Sequence, residues 1–328
     1  MLKVHRFAVS IIIVLFLSVA ASQLESRDRL FPALDDSYDL AGKRTDSTQF
    51  FLMQTDVIEY SPAGERVKID YYKLLLKCIP LRDEEMEGYQ YKCGQFSLNH
   101  GEDGEISIPS LENLEYIWVS NVDSSGQVFG IDHSRFEGLE DSQGSGLAPD
   151  KSYLVYNAFI DFHSFCDLFA EPSDDGRGIQ DLTAVGQKIV HAAAYSRPPV
   201  NLGKIILDGS YFENGEITLE FKGISRIDGH PCALVEYDSG QSSYRMFMEP
   251  VPGMQIETGG SSHYMGDIYK DLNTNWVRRV TMNEFVVSET ELPMGRGRIN
   301  SVVERSILIR NISEEEWTEL LESGGPHH

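Results

Sequence analysis

One apolar run, residues 153–169, holds the side chains most able to do chemistry. Asp161 and His163 lie two residues apart in it, and His191 follows farther along the chain. Aromatic and β-branched residues favour a buried strand for this run, although its length also allows a helix. In a strand, residues 161 and 163 point the same way, so a carboxylate and an imidazole could meet a metal or each other. Asp161, His163 and His191 are therefore the first catalytic suspects, and a histidine satisfied within the core is the competing interpretation.

No established catalytic or metal-binding motif accompanies these residues. The chain has no G-x-S-x-G at a strand-to-helix turn, no H-E-x-x-H, no P-loop, no dinucleotide-binding glycine pattern and no C-x-x-C. The sequence therefore predicts no cofactor and no metal site. It leans away from an enzyme, although a hydrolase site assembled from separated strands needs no fixed spacing.

Two further groups could bind or react. Residues 259–263, Gly-Gly-Ser-Ser-His, form a polar loop that could offer backbone N–H groups to an anion or simply turn the chain between strands. Carboxylates on the late strands could flank a glycosidic bond, but 51 acidic residues make chance proximity expected. Those carboxylates are Glu284, Glu289, Glu291 and Glu304.

The four cysteines suggest disulfide chemistry. Cys78 ends one apolar run and Cys93 lies in the next strand-like run, with an acidic turn over residues 82–88 between them. A disulfide between the two would link a hairpin, provided that the chain reaches an oxidising compartment. Cys166 and Cys232 could pair across the fold or remain buried thiols.

The chain begins with a pattern typical of secretory signals. Lys3 and Arg6 precede an apolar run over residues 7–21, which ends among small residues that suit cleavage near residue 22. This run is shorter than the about 20 apolar residues that a spanning helix needs, and no later run reaches that length. We therefore predict a cleaved signal over residues 1–22, no integral membrane span afterwards, and a secreted or periplasmic location.

Alternation of polar and apolar residues predicts an antiparallel sheet downstream. Residues 217–222 alternate strictly, and Asp228-Gly229 follows as a hairpin signal. A second hairpin is predicted around Asn273-Thr274-Asn275. The expected fold is mainly β, a curved antiparallel sheet in the form of a half-barrel or a sandwich, with one or two short helices.

Capping signals place those helices. Asp181 can cap a helix that starts at Leu182 and stops before Pro198. Ser313 and Glu316 form a capping box ahead of a short closing helix.

Composition divides the chain into segments. Residues 23–48 are polar and lack sustained periodicity, which predicts a flexible N-terminal segment. Residues 49–322 form the β-rich domain, in which a Gly/Ser/Asp-rich stretch near 123–150 is either a long loop, which we favour, or a boundary between two lobes. Residues 323–328 are expected to be a disordered tail.

The charge of the chain excludes some partners. Its 28 basic and 51 acidic residues give a formal charge of −23 at pH 7. A surface of this sign repels phosphate backbones, so nucleic-acid binding is not expected.

The hairpin from Gly266 through Trp276 to Met282, with the sequence Gly-Asp-Ile-Tyr-Lys-Asp-Leu in its first arm, resembles exported half-barrel proteins of the lipoprotein-carrier type. The resemblance extends over Ile217 to Glu304 and rests on the rhythm of strands and turns. It implies an unclosed, curved sheet whose concavity holds acyl chains around plugging helices.

Export, alternating strands and the lack of a catalytic motif together favour a binding protein. The leading hypothesis is an exported β-sheet protein that binds a lipid or another apolar or amphipathic small molecule, or a protein partner, on a concave sheet face. The alternatives are the secreted hydrolase, with Asp161, His163 and His191 as its site, and a structural extracytoplasmic module.

Overall fold

The computed structural model describes most of the chain after residue 36. The described ranges are 37–83, 86–100, 105–119, 127–147, 149–173, 176–200, 206–251, 253–293 and 297–323. From Asp39 onward they belong to one compact unit, Asp39–His328. The predicted signal over 1–22 and residues 324–328 of the predicted tail lie outside these ranges. Within the ranges, no helix combines the length and the apolar character needed to cross a membrane.

Thirteen strands in the described ranges form one antiparallel sheet, which confirms the predicted fold class. They are β1 (Gln49–Tyr60), β2 (Arg66–Asp83), β3 (Met86–His100), β4 (Glu105–Ser107), β5 (Glu115–Ile117), β6 (Lys188–Val190), β7 (Tyr211–Glu213), β8 (Thr218–Ile227), β9 (His230–Asp238), β10 (Ser242–Val251), β11 (Met254–Asp271), β12 (Val277–Glu291) and β13 (Arg298–Ile312). The order along the sheet is β4-β3-β2-β1-β13-β12-β11-β9-β8-β6; in addition β5 pairs with β3, β10 with β11, and β7 with β10.

Both predicted hairpins are present. Asp228 and Gly229 join β8 to β9 with φ angles of 48° and 81°, as a two-residue turn with positive φ at both central positions requires. The turn that ends at Asn275, with φ 59°, joins β11 to β12. Local turn chemistry therefore sets the register of these strand pairs.

The run over residues 153–169 is helical, so the favoured prediction of a buried strand is wrong. It forms α1 (Pro149–His163) and a π-helical turn (Ser164–Leu168), in which the Phe169 amide donates to the Ser164 carbonyl at 3.0 Å. The run crosses the face of the sheet, away from the sheet edges where a strand could find partners. A buried backbone in that position has to satisfy its own N–H and C=O groups, and a helix does so.

The sheet curves around α1. Residues 159–165 rise by only about 9 Å along the helix. Over that distance Phe159 stacks with Phe96 of β3, and Phe165 stacks with Tyr237 of β9. These two strands are six positions apart in the sheet, about 29 Å if it were flat. We therefore call the side that faces α1 the concave face and the other side the convex face.

The second predicted helix forms, and the first does not. Ser313 accepts a hydrogen bond from the Glu316 amide at 3.1 Å and caps α2 (Glu314–Ser323), whose Trp317 packs against Phe50 on the convex face. Residues 182–197, predicted as a helix, instead contain β6, which pairs with β8. Gly186, with φ 82°, breaks the helical pattern just before that strand.

Part of the predicted flexible N-terminal segment packs into the unit. Leu40 and Arg44 are buried. The Lys270 ammonium group on β11 donates to the carbonyl oxygens of Leu40 and Ala170, both at 2.9 Å. The interpretation as a flexible segment therefore does not describe residues 39–48.

The predicted Cys78–Cys93 disulfide is absent, and all four cysteines are buried free thiols. Cys78 lies opposite Tyr91 in the register, whereas Cys93 lies opposite Leu76. The two cysteines are thus diagonal neighbours, whose separation of about 7–8 Å exceeds the usual reach of a disulfide. They share the helix-facing side of the sheet as core residues.

Candidate functional site

Two flanks of α1 are covered and a third is open. Val155 and Phe162 are buried towards the sheet. Phe136, from the irregular stretch over 127–147, packs edge-on against Phe159 at 5.3 Å and covers a second flank. The third flank keeps partial solvent exposure although it faces the sheet; its residues are Tyr153, Asn157, Ile160 and Asp161.

The sheet wall opposite this third flank is also partly open. The register places Glu284 of β12 beside Arg305 of β13, and the next concave-face pair is Val286 with Val303. Val286, Val303 and Arg305 are half-buried. Asp161 of α1 contacts Arg305 of β13, so these two partly exposed surfaces adjoin. The space between α1 and strands β10–β13 is therefore a candidate cleft. We call it the α1 cleft; its residues are Tyr153, Asn157, Ile160, Asp161, Tyr244, Ser262, Tyr264, Glu284, Val286, Val303 and Arg305.

An ion-pair cluster forms the base of the α1 cleft. The Arg305 guanidinium contacts both oxygens of Asp161, and its Nη2 lies 2.6 Å from Oε2 of Glu284. The Ser262 hydroxyl donates to the other oxygen of Glu284. Side-chain exposure is 14% for Arg305, 13% for Asp161 and 10% for Glu284, so the cluster is shielded but reachable from solvent. We call Asp161, Glu284 and Arg305 the Arg305 cluster.

Two carboxylates compete for one guanidinium in this cluster. Burial raises the pKa of Asp161 to about 6, and repulsion from Glu284 adds to the rise while Arg305 opposes it. With both carboxylates ionised, the three groups carry a net charge of −1. The base of the cleft therefore favours positive charge and hydrogen-bond donors.

Three tyrosines surround the Arg305 cluster. Tyr153 and Tyr264 lie close to Asp161, Glu284 and Arg305, and burial raises the pKa of the Tyr264 phenol. Tyr244 reaches the same region from β10. These rings give the cleft walls that are apolar on their faces and polar at their hydroxyl tips.

Glycine at position 260 makes room for one of these rings. A Cβ atom at Gly260 would lie 2.7 Å from the Tyr244 hydroxyl oxygen and 2.4 Å from the Val287 carbonyl oxygen. Residues 259–263 form neither the anion-binding loop nor the turn between strands that the sequence left open, because Gly259 and Gly260 lie inside β11 with strands on both sides. The glycine admits the tyrosine ring instead of exposing backbone N–H groups.

His163 belongs to a different, sealed cluster. Its neutral ring donates from Nδ1 to Asp167 Oδ2 and accepts at Nε2 from the Tyr116 hydroxyl, both at 2.6 Å. Tyr91 also donates to Asp167, at 3.0 Å, and the Arg44 guanidinium lies 2.7 Å from the same carboxylate. We call Arg44, Tyr91, Tyr116, His163 and Asp167 the Arg44 cluster.

The buried Arg44 charge faces two carboxylates, Asp167 at 2.7 Å and Glu171 at 3.0 Å. Burial acts to raise the pKa of Asp167, but the Arg44 charge and the His163 hydrogen bond outweigh it and lower that pKa. Burial lowers the pKa of His163, which stays neutral against an ionised Asp167. The His163 and Asp167 side chains have no solvent exposure. A substrate cannot reach this histidine without opening the core, so the arrangement stabilises the fold.

His191 lies apart from both clusters. Its Nδ1 accepts a hydrogen bond from the Ala193 amide at 3.1 Å, and its ring meets Phe169 edge-on at 5.1 Å. Burial lowers its pKa to about 4, against a smaller opposing effect of the Leu168 carbonyl. In the described part of the chain, the hydrogen bonds of Asp161, His163 and His191 go to separate partners, so the three suspects do not assemble into one site.

The late carboxylates do not converge either. Of the four, only Glu284 lies in the cleft. Glu304 accepts from Tyr60 at 2.5 Å on the convex face, and Glu289 pairs with Arg298 at 2.8 Å in solvent. Among the described residues, no group of three or more His, Cys, Asp or Glu is placed to hold a metal ion.

Sequence reasoning singled out Asp161 and Glu284 but missed the residue that joins them. Arg305 is 144 positions from Asp161 in the chain, and no local pattern marks their contact. Alternation along β12 and β13 could have placed Glu284, Val286, Val303 and Arg305 on one face. It could not have shown that α1 covers only part of that face.

Comparisons with known proteins leave the family open. No family model matches the chain, and no curated protein does. Among solved structures, a multiple mutant of the Rh. blastica porin is 8% identical, covering 81% of this chain and 100% of the porin, with a TM-score of 0.21. Pseudomonas aeruginosa OccK2 (OpdF) in complex with glucuronate is 7% identical, covering 83% and 100%, also with a TM-score of 0.21. Overlaps of this quality carry no argument about this chain.

Proposed function

We propose that the protein binds an apolar or amphipathic molecule in the α1 cleft. One observation carries the proposal: the open flank of α1 and the concave face of β10–β13 face each other, and both remain half-buried. Val286 and Val303 offer adjacent apolar side chains, and the tyrosine rings extend that surface. Binding sites for small molecules are concave and mostly apolar, with a few convergent polar groups. The α1 cleft has both components.

The energetics favour a ligand with a hydrocarbon portion. Each methylene transferred from water to an apolar contact contributes up to about 0.8 kcal/mol, or about fourfold in affinity. Affinity should therefore rise with chain length until the chain outgrows the cleft. Such a ligand also agrees with the resemblance of the hairpin from Gly266 to Met282 to lipoprotein-carrier-like proteins.

A neutral fluorescent probe tests the proposal. N-phenyl-1-naphthylamine should bind the purified protein with enhanced fluorescence, and native mass spectrometry of freshly purified protein should show a co-purified apolar molecule. Val303→Trp fills the cleft and should weaken probe binding by about tenfold or more. Val302→Trp is the matched control, since Val302 is its neighbour on β13 but faces the convex side.

Two results would overturn the proposal. One is a folded wild-type protein that neither binds the probe nor carries a co-purified molecule. The other is equal probe affinity for Val303→Trp and Val302→Trp, with both variants shown to be folded by their thermal midpoints.

We also propose that this binding takes place after export. The apolar run over residues 7–21 supports the proposal, together with Lys3 and Arg6 before it. Expression of the full chain with its own N-terminus, followed by N-terminal sequencing of the protein outside the cytoplasm, should give a mature start near residue 23. An intact residue 1 on protein retained inside the cell would contradict export.

A further inference from the structure

The charge at the base of the α1 cleft distinguishes between classes of amphipathic ligand. Nε and Nη2 of Arg305 lie 2.7 and 2.6 Å from Glu284 Oε2, and its Nη1 donates to Asp161. With these donors engaged, the guanidinium has little left to offer an incoming carboxylate or phosphate. The two carboxylates exceed the guanidinium by one negative charge. An anionic head group would meet repulsion at this point.

The surrounding rings favour the opposite charge. Tyr153 is 37% exposed at the mouth of the cleft, and Tyr244 and Tyr264 lie deeper, all close to Glu284. A cation above a tyrosine face is attracted by the ring quadrupole, and partial desolvation strengthens the attraction. Aromatic faces beside carboxylates are the usual chemistry for holding an organic ammonium group.

We infer that the ligand of the α1 cleft is an amphipathic organic cation, whose ammonium group binds between Asp161, Glu284 and the tyrosine rings while its hydrocarbon part lies along Val286 and Val303. This inference rests on the proposed function, since it assigns a head group to the ligand of the same cleft. The formal charge of −23 on the chain also attracts cations towards the protein.

Ligands of one chain length and different charge test the inference. Dodecyltrimethylammonium, dodecanol and dodecanoate, each below its micellar concentration, would compete with N-phenyl-1-naphthylamine for the wild-type protein. The cation should displace the probe at a concentration about tenfold lower than dodecanoate does, with dodecanol between them.

Two variants separate the local charge from the charge of the whole chain. Glu284→Gln removes the excess negative charge at the base and should bring cation and anion affinities to within about threefold of each other. Glu289→Gln makes the same change in total charge on the convex face and should keep the wild-type preference. If Glu284→Gln does not fold, Tyr153→Leu should weaken cation binding by about threefold or more while Tyr153→Phe retains it.

Each outcome bears on one proposal or on both. Binding of the neutral probe with equal affinity for the cation and dodecanoate would overturn the inference and leave the proposed function standing. Glu289→Gln could instead lower the preference for the cation as much as Glu284→Gln does. The preference would then come from the total charge of the chain, and the inference would also be overturned. No binding of the probe or of any dodecyl compound would overturn both.

Discussion

At the scale of single residues, the most consequential group is the carboxylate of Asp167. It accepts hydrogen bonds from Tyr91 and His163 and pairs with Arg44, all inside the core. A buried guanidinium is tolerated only while its counter-charge is present. Removing the charge of Asp167 therefore tests how much this counter-charge contributes to the stability of the fold.

Asp167→Asn keeps the shape of the side chain and removes its charge. We expect a loss of about 3 kcal/mol in the free energy of unfolding, because the buried Arg44 charge would keep Glu171 but lose the closer of these two carboxylate partners. Urea denaturation monitored by tryptophan fluorescence measures it. Glu289→Gln is the control, since it breaks an exposed ion pair and should cost less than about 1 kcal/mol. Equal losses in the two variants would contradict a role for burial.

His191 should make stability depend on pH. Its folded pKa of about 4 lies below the ordinary value of 6.5, so the unfolded chain binds more protons between these values and acid favours unfolding. Asp161 acts with the opposite sign, since its folded pKa of about 6 lies above its ordinary 3.8 and protonation in that window favours the folded state. The two effects partly cancel in the wild-type protein.

The variant His191→Gln separates the two effects, because it retains Asp161. Between pH 7 and pH 5 the wild-type protein should lose about 2 kcal/mol more of its unfolding free energy than His191→Gln does. Urea titrations of both proteins at the two pH values provide the measurement. Parallel changes in both proteins would mean that His191 already titrates normally in the folded state.

Asp161 and His163 show how far the sequence alone identifies such residues. Their types marked both as chemically significant, and both do lie in charged clusters. The expected meeting of the two side chains is wrong, because residues two apart share a face in a strand but diverge in a helix. In the helix, His163 contacts Asp167, four residues on. Arg44 and Arg305 could not be assigned, since their contacts join positions more than 100 residues apart.

At the scale of elements, α2 depends on a glycine of the strand beneath it. A Cβ atom at Gly94 of β3 would lie 2.5 Å from the Trp317 ring. Trp317 also packs with Phe50, Leu52, Leu75 and Ile312. The helix is thus held by one large side chain that fits above a residue without a side chain.

Gly94→Ala should push Trp317 off this site. We expect a loss of about 1–3 kcal/mol in unfolding free energy, the usual effect of overpacking. Gly88→Ala on the same strand is the control, because its added Cβ would meet only Leu81, at 4.0 Å. In a Trp317→Ala background the effect of Gly94→Ala should largely disappear. An unchanged effect there would assign it to the strand backbone.

Local signals predicted the elements that depend on local chemistry. The Asp228-Gly229 turn and the Ser313 cap formed as expected, because turn type and capping are decided within four residues. For residues 153–169 the same reasoning predicted the wrong element. Their composition is typical of a strand, but their position across the concave face requires a helix. The same reasoning gave the wrong structure for residues 259–263. Gly260 is there because the Tyr244 ring of the neighbouring strand needs the space, and not because the chain turns.

At the scale of the whole molecule, the sheet places the two ends of the described unit side by side. β1 pairs along its length with β13, the last strand, and Gln49 accepts from Asn311 across 262 positions of sequence. The centre of the sheet therefore cannot form until the end of the chain is available, and non-local pairing of this kind slows folding. Cysteines in a chain that folds late stay exposed to oxidation longer.

The state of the thiols therefore tests fold and export together. Burial raises the pKa of Cys232 to about 11 and the pKa of the other three thiols further, so few thiolates are present at neutral pH. In the native protein all four should react slowly with a thiol reagent, and all four should react once the chain is unfolded without reductant. Adding a reductant should leave the thermal midpoint unchanged.

A Cys78–Cys93 disulfide found in the exported protein, through a loss of two hydrogens in the joined peptides, would contradict this expectation. It would require β2 and β3 to shift from the register that now separates the two residues diagonally.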